Sequence, residues 1–484
     1  MSCKYAGRDF RDEISVSFCL LVNIAKEKWS EEVMAKKMTE GRPLPLIMGF
    51  AVPLLVGNIL QQTYNIIDAA IVGRALGANA LASVGASSSV QFLVLGFCIG
   101  IACGFGVPIA KSFGAGNLPE MRNHIFHSMF LTGVFAVVLT AVCAFFCPQI
   151  LHMLSTPDKI YQGAYNYLII LFLGIPFTLL YNLMSSILRS VGDSRTPFVF
   201  LAISTVLNII LDLVCILVFH WGCAGAAAAT ITAQAISGIL CCIYIWTKVP
   251  LLRLSKADCR LHSRGVRIMT TMGVPMGLQY SITAIGSMVM QYANNSLDSV
   301  VYVSAFTAAL RLKQFFMCPF DAIATGVSVF CSQNLGAGKK KRIVKGLLQG
   351  MAVAVGYGLC AGIMLIFFGR PLCKIFISGK EVEVLNAAAQ YLFCQGFFFW
   401  SLGILNTCRM TTQGLGYSGR AVFSGVTEMV ARIVVSLIFV PVYGYTAICF
   451  SDQTAWVSAC IYILPTCLIC LKKVGADFRF TQKA

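Results

Sequence analysis

Two aspartates set deep inside apolar sequence carry most of the chemistry this chain offers. Asp68 ends the stretch Gln61-Gln62-Thr63-Tyr64-Asn65-Ile66-Ile67-Asp68, and Asp212 ends Leu207-Asn208-Ile209-Ile210-Leu211-Asp212. On a helix, Tyr64 and Gln61 lie four and seven residues before Asp68 and share its face, as Asn208 shares the face of Asp212. A carboxylate at mid-bilayer costs about 2.5–3.5 kcal/mol on insertion scales, so it persists where it is paired or has work to do. No Lys or Arg stands at comparable depth in the apolar runs that hold these acids. A desolvated carboxylate without a cationic partner takes up a proton near physiological pH or binds a cation. Coupling to H⁺ or Na⁺ is therefore the chemistry these positions predict. The plainer alternative is that neighbouring Tyr, Asn and Thr side chains satisfy each acid by hydrogen bonds.

The elements that must position them are membrane spans. Of the 484 residues 57% are hydrophobic and 12% charged, about half the charge of an ordinary soluble domain. Twelve apolar runs are expected to cross a ~30 Å hydrocarbon core, at 46–72, 86–110, 124–147, 160–188, 197–219, 224–247, 268–293, 303–331, 346–368, 384–408, 421–441 and 446–471. The runs are uniformly apolar rather than alternating, which predicts helices and not a barrel.

Lys and Arg in the loops set the orientation. Lys248, Arg253, Lys256, Arg260, Arg264 and Arg267 share one side with Lys339, Lys340, Lys341, Arg342 and Lys345, whereas the other side has Arg74, Lys159, Arg370, Lys374 and Lys380. Both termini are expected in the cytoplasm. The net charge of +17 then belongs to a solvated cytoplasmic surface, with no nucleic-acid partner implied. Most of the 21 cysteines fall inside apolar runs, where Cys acts as a small hydrophobe, so no structural disulfide is expected. His124 and His127 are spaced three apart without a nearby carboxylate or thiolate, too little for a metal site.

The chain is written twice. Val52-Pro53 through Phe113-Gly114-Ala115-Gly116-Asn117 reappears as Val274-Pro275 through Leu335-Gly336-Ala337-Gly338-Lys339, and Leu188-Arg189-Ser190-Val191-Gly192-Asp193-Ser194 resembles Thr412-Gln413-Gly414-Leu415-Gly416-Tyr417-Ser418. The expected fold is an all-α polytopic membrane protein with twelve transmembrane helices in two pseudo-symmetric six-helix bundles of parallel topology. Residues 1–40 form a cytoplasmic N-terminal extension, unless Met34 or Met38 is the true start. Residues 41–247 form the N-lobe, 248–267 a basic cytoplasmic linker, 268–471 the C-lobe and 472–484 a cytoplasmic tail.

The copies differ where the chemistry lies. Asp68 is matched by Met290, Asp212 by Ser436, Asn208 by Arg432, Gln61 by Thr283 and Tyr64 by Gly286. In the second half Arg432 and Glu428 are spaced for an ion pair within one helix. Asp321, two residues after Pro319, reads as an unpaired acid in the wall of a substrate cavity. Gln279, Gln291, Gln395 and Met290 are further candidates for that wall, with Met288, Phe172 and Phe177 adding an adaptable apolar surface.

Pro53-Leu54-Leu55-Val56-Gly57-Asn58, Tyr64-Asn65-Ile66-Ile67-Asp68 and Val72-Gly73, followed by Gly114-Ala115-Gly116, Arg189-Ser190-Val191-Gly192-Asp193, Asn334-Leu335-Gly336-Ala337-Gly338 and Gln413-Gly414-Leu415-Gly416, resemble the multidrug and toxic compound extrusion (MATE) family over residues 40 to 471. The match is to its prokaryotic branch. That resemblance implies two lobes in a V and export of amphipathic or cationic organic compounds by antiport with H⁺ or Na⁺. It also implies a coupling network of Asp68, Asp212, Asn208, Thr230, Tyr64, Gln61, Tyr167 and Asn182, with Na⁺ held at Asp68, Asn208, Asp212 and Thr230. Acids that some members carry in the seventh or tenth helix are missing here, where the seventh has Gln279 and Gln291.

The expected protein is a multi-pass transporter of the plasma (inner) membrane, a xenobiotic exporter working as a monomer in the lipid bilayer. It needs no cofactor beyond the coupling ion and no catalytic residues. The rival reading is a lipid-linked oligosaccharide flippase, which needs cavity cations to meet pyrophosphate and has Arg311, Lys313 and Arg432 as candidates. A membrane enzyme lacks a catalytic constellation, and a passive channel suits the one-sided acids less well than alternating access does.

Overall fold

The computed structural model describes residues 37–153, 156–377 and 381–481, so the readings on residues 1–36 lie outside it. Among the described residues the helices are α1 Pro43–Leu76, α2 Ala78–Gly114, α3 Leu118–Phe145, α4 Cys147–Met153, α5 Asp158–Leu173, α6 Ile175–Ser190, α7 Arg195–Leu213 and α8 Gly222–Lys248. They continue with α9 Ser263–Asn295, α10 Val300–Gly336, α11 Lys340–Cys373, α12 Val382–Gly414, α13 Ser418–Val434, α14 Val440–Tyr443 and α15 Tyr445–Thr481. Ten spans are long and apolar enough to cross a membrane by themselves, and α5 with α6 passes as a bent pair. The remaining long helix, α9, has 33 residues, about 50 Å at 1.5 Å per residue. Its Thr, Ser, Gly and Gln make it less apolar than the others, and by its place in the repeat it completes two sets of six.

The run 160–188 passes as one span made of two helices bent by 48° between Leu173 and Ile175, the kink that a proline inside an apolar run brings. Pro176 sits in the first turn of α6, where it donates no hydrogen bond back into α5. Ile231 of α8 occupies the space a Cβ at Gly174 would need.

The duplication is visible in the backbone. Left-handed glycines recur as Gly116 and Gly338 (φ 73° and 71°), Gly192 and Gly416 (88° and 90°), and Gly222 and Gly444 (58° and 58°), conformations that other residues rarely adopt. α7 and α13 each run directly into a π turn, Val214–Val218 and Val435–Phe439.

The halves meet along α1 with α10 and α2 with α9, pairs that the repeat exchanges. Glycines allow these crossings. A Cβ at Gly104 would lie 2.6 Å from Gly273 Cα, and one at Gly114 or Gly336 would run into the backbone of Gln333 or Lys111. The foot of α1 belongs to the other half: Ile47, Phe50 and Ala51 are buried in the same apolar core as Val327 and Phe330. At Gly57 the helix has changed neighbours and meets Phe198 and Leu201 of α7. Pro53 lies between the two.

Hydrogen bonds fasten this end of the molecule. Buried Gln333 accepts from Met38 N at 2.8 Å and donates to Ser190 O at 2.9 Å. Asn334 donates to Met38 O at 3.1 Å, and Arg342 to Gly41 O at 2.7 Å. Contacts between α2 and α9 extend up to Ser281, whose hydroxyl donates to Leu93 O at 3.1 Å. The halves are fastened at the end bearing the 337–340 turn.

Gly114→Val therefore forces the α2–α10 crossing apart, and a lowered thermal midpoint of the purified protein in detergent is expected. Gly133→Ala, where a Cβ meets open space, is expected to leave the midpoint unchanged or raise stability by up to about 1 kcal/mol. Equal midpoints for the two variants would contradict this account of the crossing.

Candidate cation-coupling site and a buried ion chain

Four helices of the first half place polar groups around Asp68 and Asp212. α1 brings Tyr64 and Asp68, α5 brings Tyr167, α7 brings Asn208 and Asp212, and α8 brings Thr230. α8 approaches closely because Gly225, Ala226, Ala227 and Ala229, all buried, present almost no side chain. Asp212 stands immediately before the π turn Val214–Val218, the kind of local widening that recurs at functional sites.

The two carboxyls lie within electrostatic reach of each other, and two bare carboxylates so placed repel. With its amide turned to satisfy both ends, Asn208 donates to Asp212 Oδ2 at 3.0 Å and accepts from Thr230 N at 3.1 Å. Tyr64 OH and Thr230 Oγ1 share a hydrogen bond at 3.2 Å. Tyr167 is buried within electrostatic reach of both acids. Asp68 Oδ1 and Asp212 Oδ1 are buried acceptors without a donor. Carboxyl, phenol, hydroxyl and amide oxygens meet there, hard donors that suit a proton or Na⁺.

The other residues picked out from the sequence lie apart. Gln61 is exposed on α1, and Asn182 donates to Thr178 O of its own helix at 2.8 Å. Met290, 1% exposed, is part of the second half's apolar core. Gln279 is buried and accepts from Gln413 at 2.5 Å, and Gln395 donates to Asp452. Gln291 is exposed. Asp321 is exposed and accepts a hydrogen bond from Asn406 Nδ2 at 3.4 Å, so it is not wholly unpaired. His124 pairs with Ser112 at 3.1 Å and His127 with Asn123 O at 2.8 Å.

Where the first half has unpartnered acids, the second half has a chain of ion pairs. Lys313 Nζ lies 2.6 Å from Asp452 Oδ2, and Arg432 Nη2 lies 3.0 Å from Asp452 Oδ1. Tyr391 OH at 2.6 Å and Gln395 Nε2 at 3.1 Å also donate to Asp452. Glu428 is paired with Arg409, whose Nε donates to Ser424 at 2.8 Å. Glu428 and Arg432 are indeed four apart, but at 3.5 Å theirs is the loosest link. The intrahelical pair expected from the sequence is thus only the middle of a five-residue chain across α10, α12, α13 and α15. Asp452 passed unremarked in sequence, although an acid in Cys449-Phe450-Ser451-Asp452-Gln453 within the final apolar run was itself a signal.

Removing one member of such a buried chain leaves an uncompensated charge, at a cost of about 3–5 kcal/mol. Asp452→Asn is therefore expected to lower the thermal midpoint of the purified protein markedly. Asp68→Asn, which relieves a confrontation of carboxyls, is expected to leave it at or above the wild-type value. Equal sensitivity of the two positions would contradict the contrast drawn between the halves.

The family model described as MatE matches residues 53–214 and again 275–438. The chain is 32% identical over 370 residues to "Probable multidrug resistance protein YpnP" of Bacillus subtilis strain 168, covering 76% of this chain and 82% of that protein. It is 27% identical over 394 residues to "Probable multidrug resistance protein YoeA" of the same organism, covering 79% and 83%. The fold superposes with a TM-score of 0.85 on a solved structure titled as the outward-facing conformation of a multidrug resistance MATE family transporter of the MOP superfamily, at 18% identity and covering 92% of this chain and 99% of that one. Both halves of this membrane-spanning helical chain match the same family model, and the chain belongs to the MatE family of multidrug and toxic compound extrusion transporters.

Proposed function

We propose that the protein is a cation-coupled antiporter that exports amphipathic or cationic organic compounds, with Asp68 and Asp212 as the carriers of H⁺ or Na⁺. The observation that carries this reading is the pair of facing carboxyls, each with a buried oxygen lacking a donor and neither with a cationic side chain among its ion-pair partners in the described residues. Asn208, Thr230 and Tyr64 hold the pair in place, and Tyr167 closes it off from lipid. In this reading 41–247 and 268–471 are lobes that rock about the 248–267 linker. Both termini are cytoplasmic and the protein lies in the plasma membrane as a monomer, with no catalytic residue and no cofactor. The fastened end is then the cytoplasmic one.

An ion entering from outside discharges the acids' repulsion and allows the lobes to close over it. One charge moving inward gains about 2.3 kcal/mol per 100 mV of membrane potential, on the order of a fiftyfold substrate gradient if coupling is tight. The names of relatives, multidrug resistance and multidrug export proteins, support small organic substrates. The flippase alternative finds little support in Lys313 and Arg432, which are already held by Asp452 and Glu428.

Ethidium efflux from proteoliposomes, with a pH gradient and a Na⁺ gradient imposed separately, tests the reading. Wild type is expected to respond to one of the two gradients, and Asp68→Asn and Asp212→Asn to lose the response. Gradient-driven efflux that survives in both variants would remove these acids from the mechanism.

A further inference from the structure

Counted from the left-handed glycines that mark the repeat, the second half's ion chain falls where the first half keeps its polar cluster. Tyr391 and Tyr167 stand the same 25 residues before Gly416 and Gly192, in Gln390-Tyr391-Leu392 and Asn166-Tyr167-Leu168. Asp452 and Thr230 each stand eight residues after a glycine, Gly444 and Gly222, and Arg432 takes the position of Asn208. A phenol, an oxygen ligand on the last helix and a nitrogen-bearing side chain on the helix before it therefore recur in both halves.

Two differences separate the copies. The carboxylate of the second half has moved to α15, and Met290 and Ser436 stand where the first half has Asp68 and Asp212. The second half also brings its own cation. Lys313 of α10, at the position of Gln91 in α2, is 6% exposed and donates to Asp452 Oδ2 at 2.6 Å and to Tyr391 OH at 3.2 Å. Tyr391 OH donates in turn to the same carboxylate oxygen at 2.6 Å, while Arg432 holds the other oxygen at 3.0 Å. Charge balance does not call for this ammonium: the chain has three cations for two acids, and Arg432 with Arg409 already balances Asp452 and Glu428. Lys313 is the surplus charge at the end of the chain, held by a carboxylate and a phenol from two other helices, as a bound amine is held by a receptor.

We infer that the second half contains a site for a primary ammonium group, formed by Asp452 Oδ2 and Tyr391 OH, and that Lys313 fills it as a tethered ligand. The ligand class is a small protonated alkylamine. The first half leaves the corresponding place to an ion from solution, a comparison that rests on the coupling reading above. The tether keeps the second half's site loaded, so exchange with solution is confined to the first half.

Lys313→Ala removes Cγ, Cδ, Cε and Nζ, the heavy atoms of propylammonium, and so empties the site for that ion. The thermal midpoint of the full-length protein in detergent is measured with propylammonium chloride, tetramethylammonium chloride or 1-propanol at equal concentrations. Propylammonium is expected to raise the midpoint of Lys313→Ala by several degrees, saturably, as a ligand that binds only the folded state does. Tetramethylammonium lacks an N–H and propanol lacks the charge, so neither is expected to raise it. Wild type and Lys313→Met, in which a side chain already fills the space, are expected to be indifferent to the amine. Adding Tyr391→Phe to Lys313→Ala is expected to shift the half-effect to a several-fold higher concentration, and adding Asp452→Asn to abolish the rise. Should Lys313→Ala be unfolded without an additive, the yield of monodisperse protein in propylammonium against the two controls carries the test. No rise or recovery with propylammonium, an equal effect of all three additives, or a rise that survives Asp452→Asn would each overturn the proposal. The measurement involves no gradient: rescue by propylammonium, in a protein whose wild type shows no gradient-driven efflux, would uphold this site and sink the antiport reading.

Discussion

A charge in hydrocarbon must have a partner, and the two halves of this protein meet that requirement in opposite ways. The second half satisfies it permanently: Asp452 has two cations, a phenol and an amide around it, and Glu428 has two guanidinium groups. Chains of this kind are expensive to disturb, and they fix α10, α12, α13 and α15 as one body. In the first half Asp68 and Asp212 each keep a buried oxygen without a donor. The same duplicated scaffold thus yields one half closed by an ion chain and one whose acids have no ion pair among the described residues.

α1 connects them. Its foot lies in the second half's core, while Gly57 and the residues beyond it pack on the first. Asp68 stands on that upper part, so an event at the acids acts on a helix anchored in the opposite half. Pro53, between the two regions, leaves the Gly49 carbonyl without its usual helical donor and makes this the softest stretch of α1.

What the sequence made legible was local. The apolar runs, the repeated Gly-Ala-Gly turns and the i, i+4 spacing of Asn208 with Asp212 depend on neighbours within a few residues, and Tyr64 with Asp68 follows the same rule. The ion chain was hidden because Lys313 and Asp452 are 139 residues apart, and one visible pair, Glu428 with Arg432, offered a complete local explanation. The bend at Gly174 was legible in Pro176, but its sharpness depends on α8, whose Ile231 fills the space beside Gly174. Asn182 illustrates the converse: a polar residue at a promising position turns to the Thr178 carbonyl of its own helix, a choice that spacing does not reveal. Asp321 was visible as an acid, but its amide partner Asn406, 85 residues away, required the packed structure.

The modest hydropathy of α9 bears on how the protein is made. A helix carrying Thr270, Thr271, Gln279, Ser281, Thr283, Ser287 and Gln291 gains little by entering lipid alone, since Ser281 finds its partner on α2 and Gln279 on α12. The basic segment before it resists crossing the bilayer, and the more apolar α10 follows after a four-residue turn. α9 therefore has to be carried into the bilayer as one arm of a hairpin, against a first half already in place. Assembly order is in this way written into the composition of a single helix, and the second half depends on the first for its entry into the membrane.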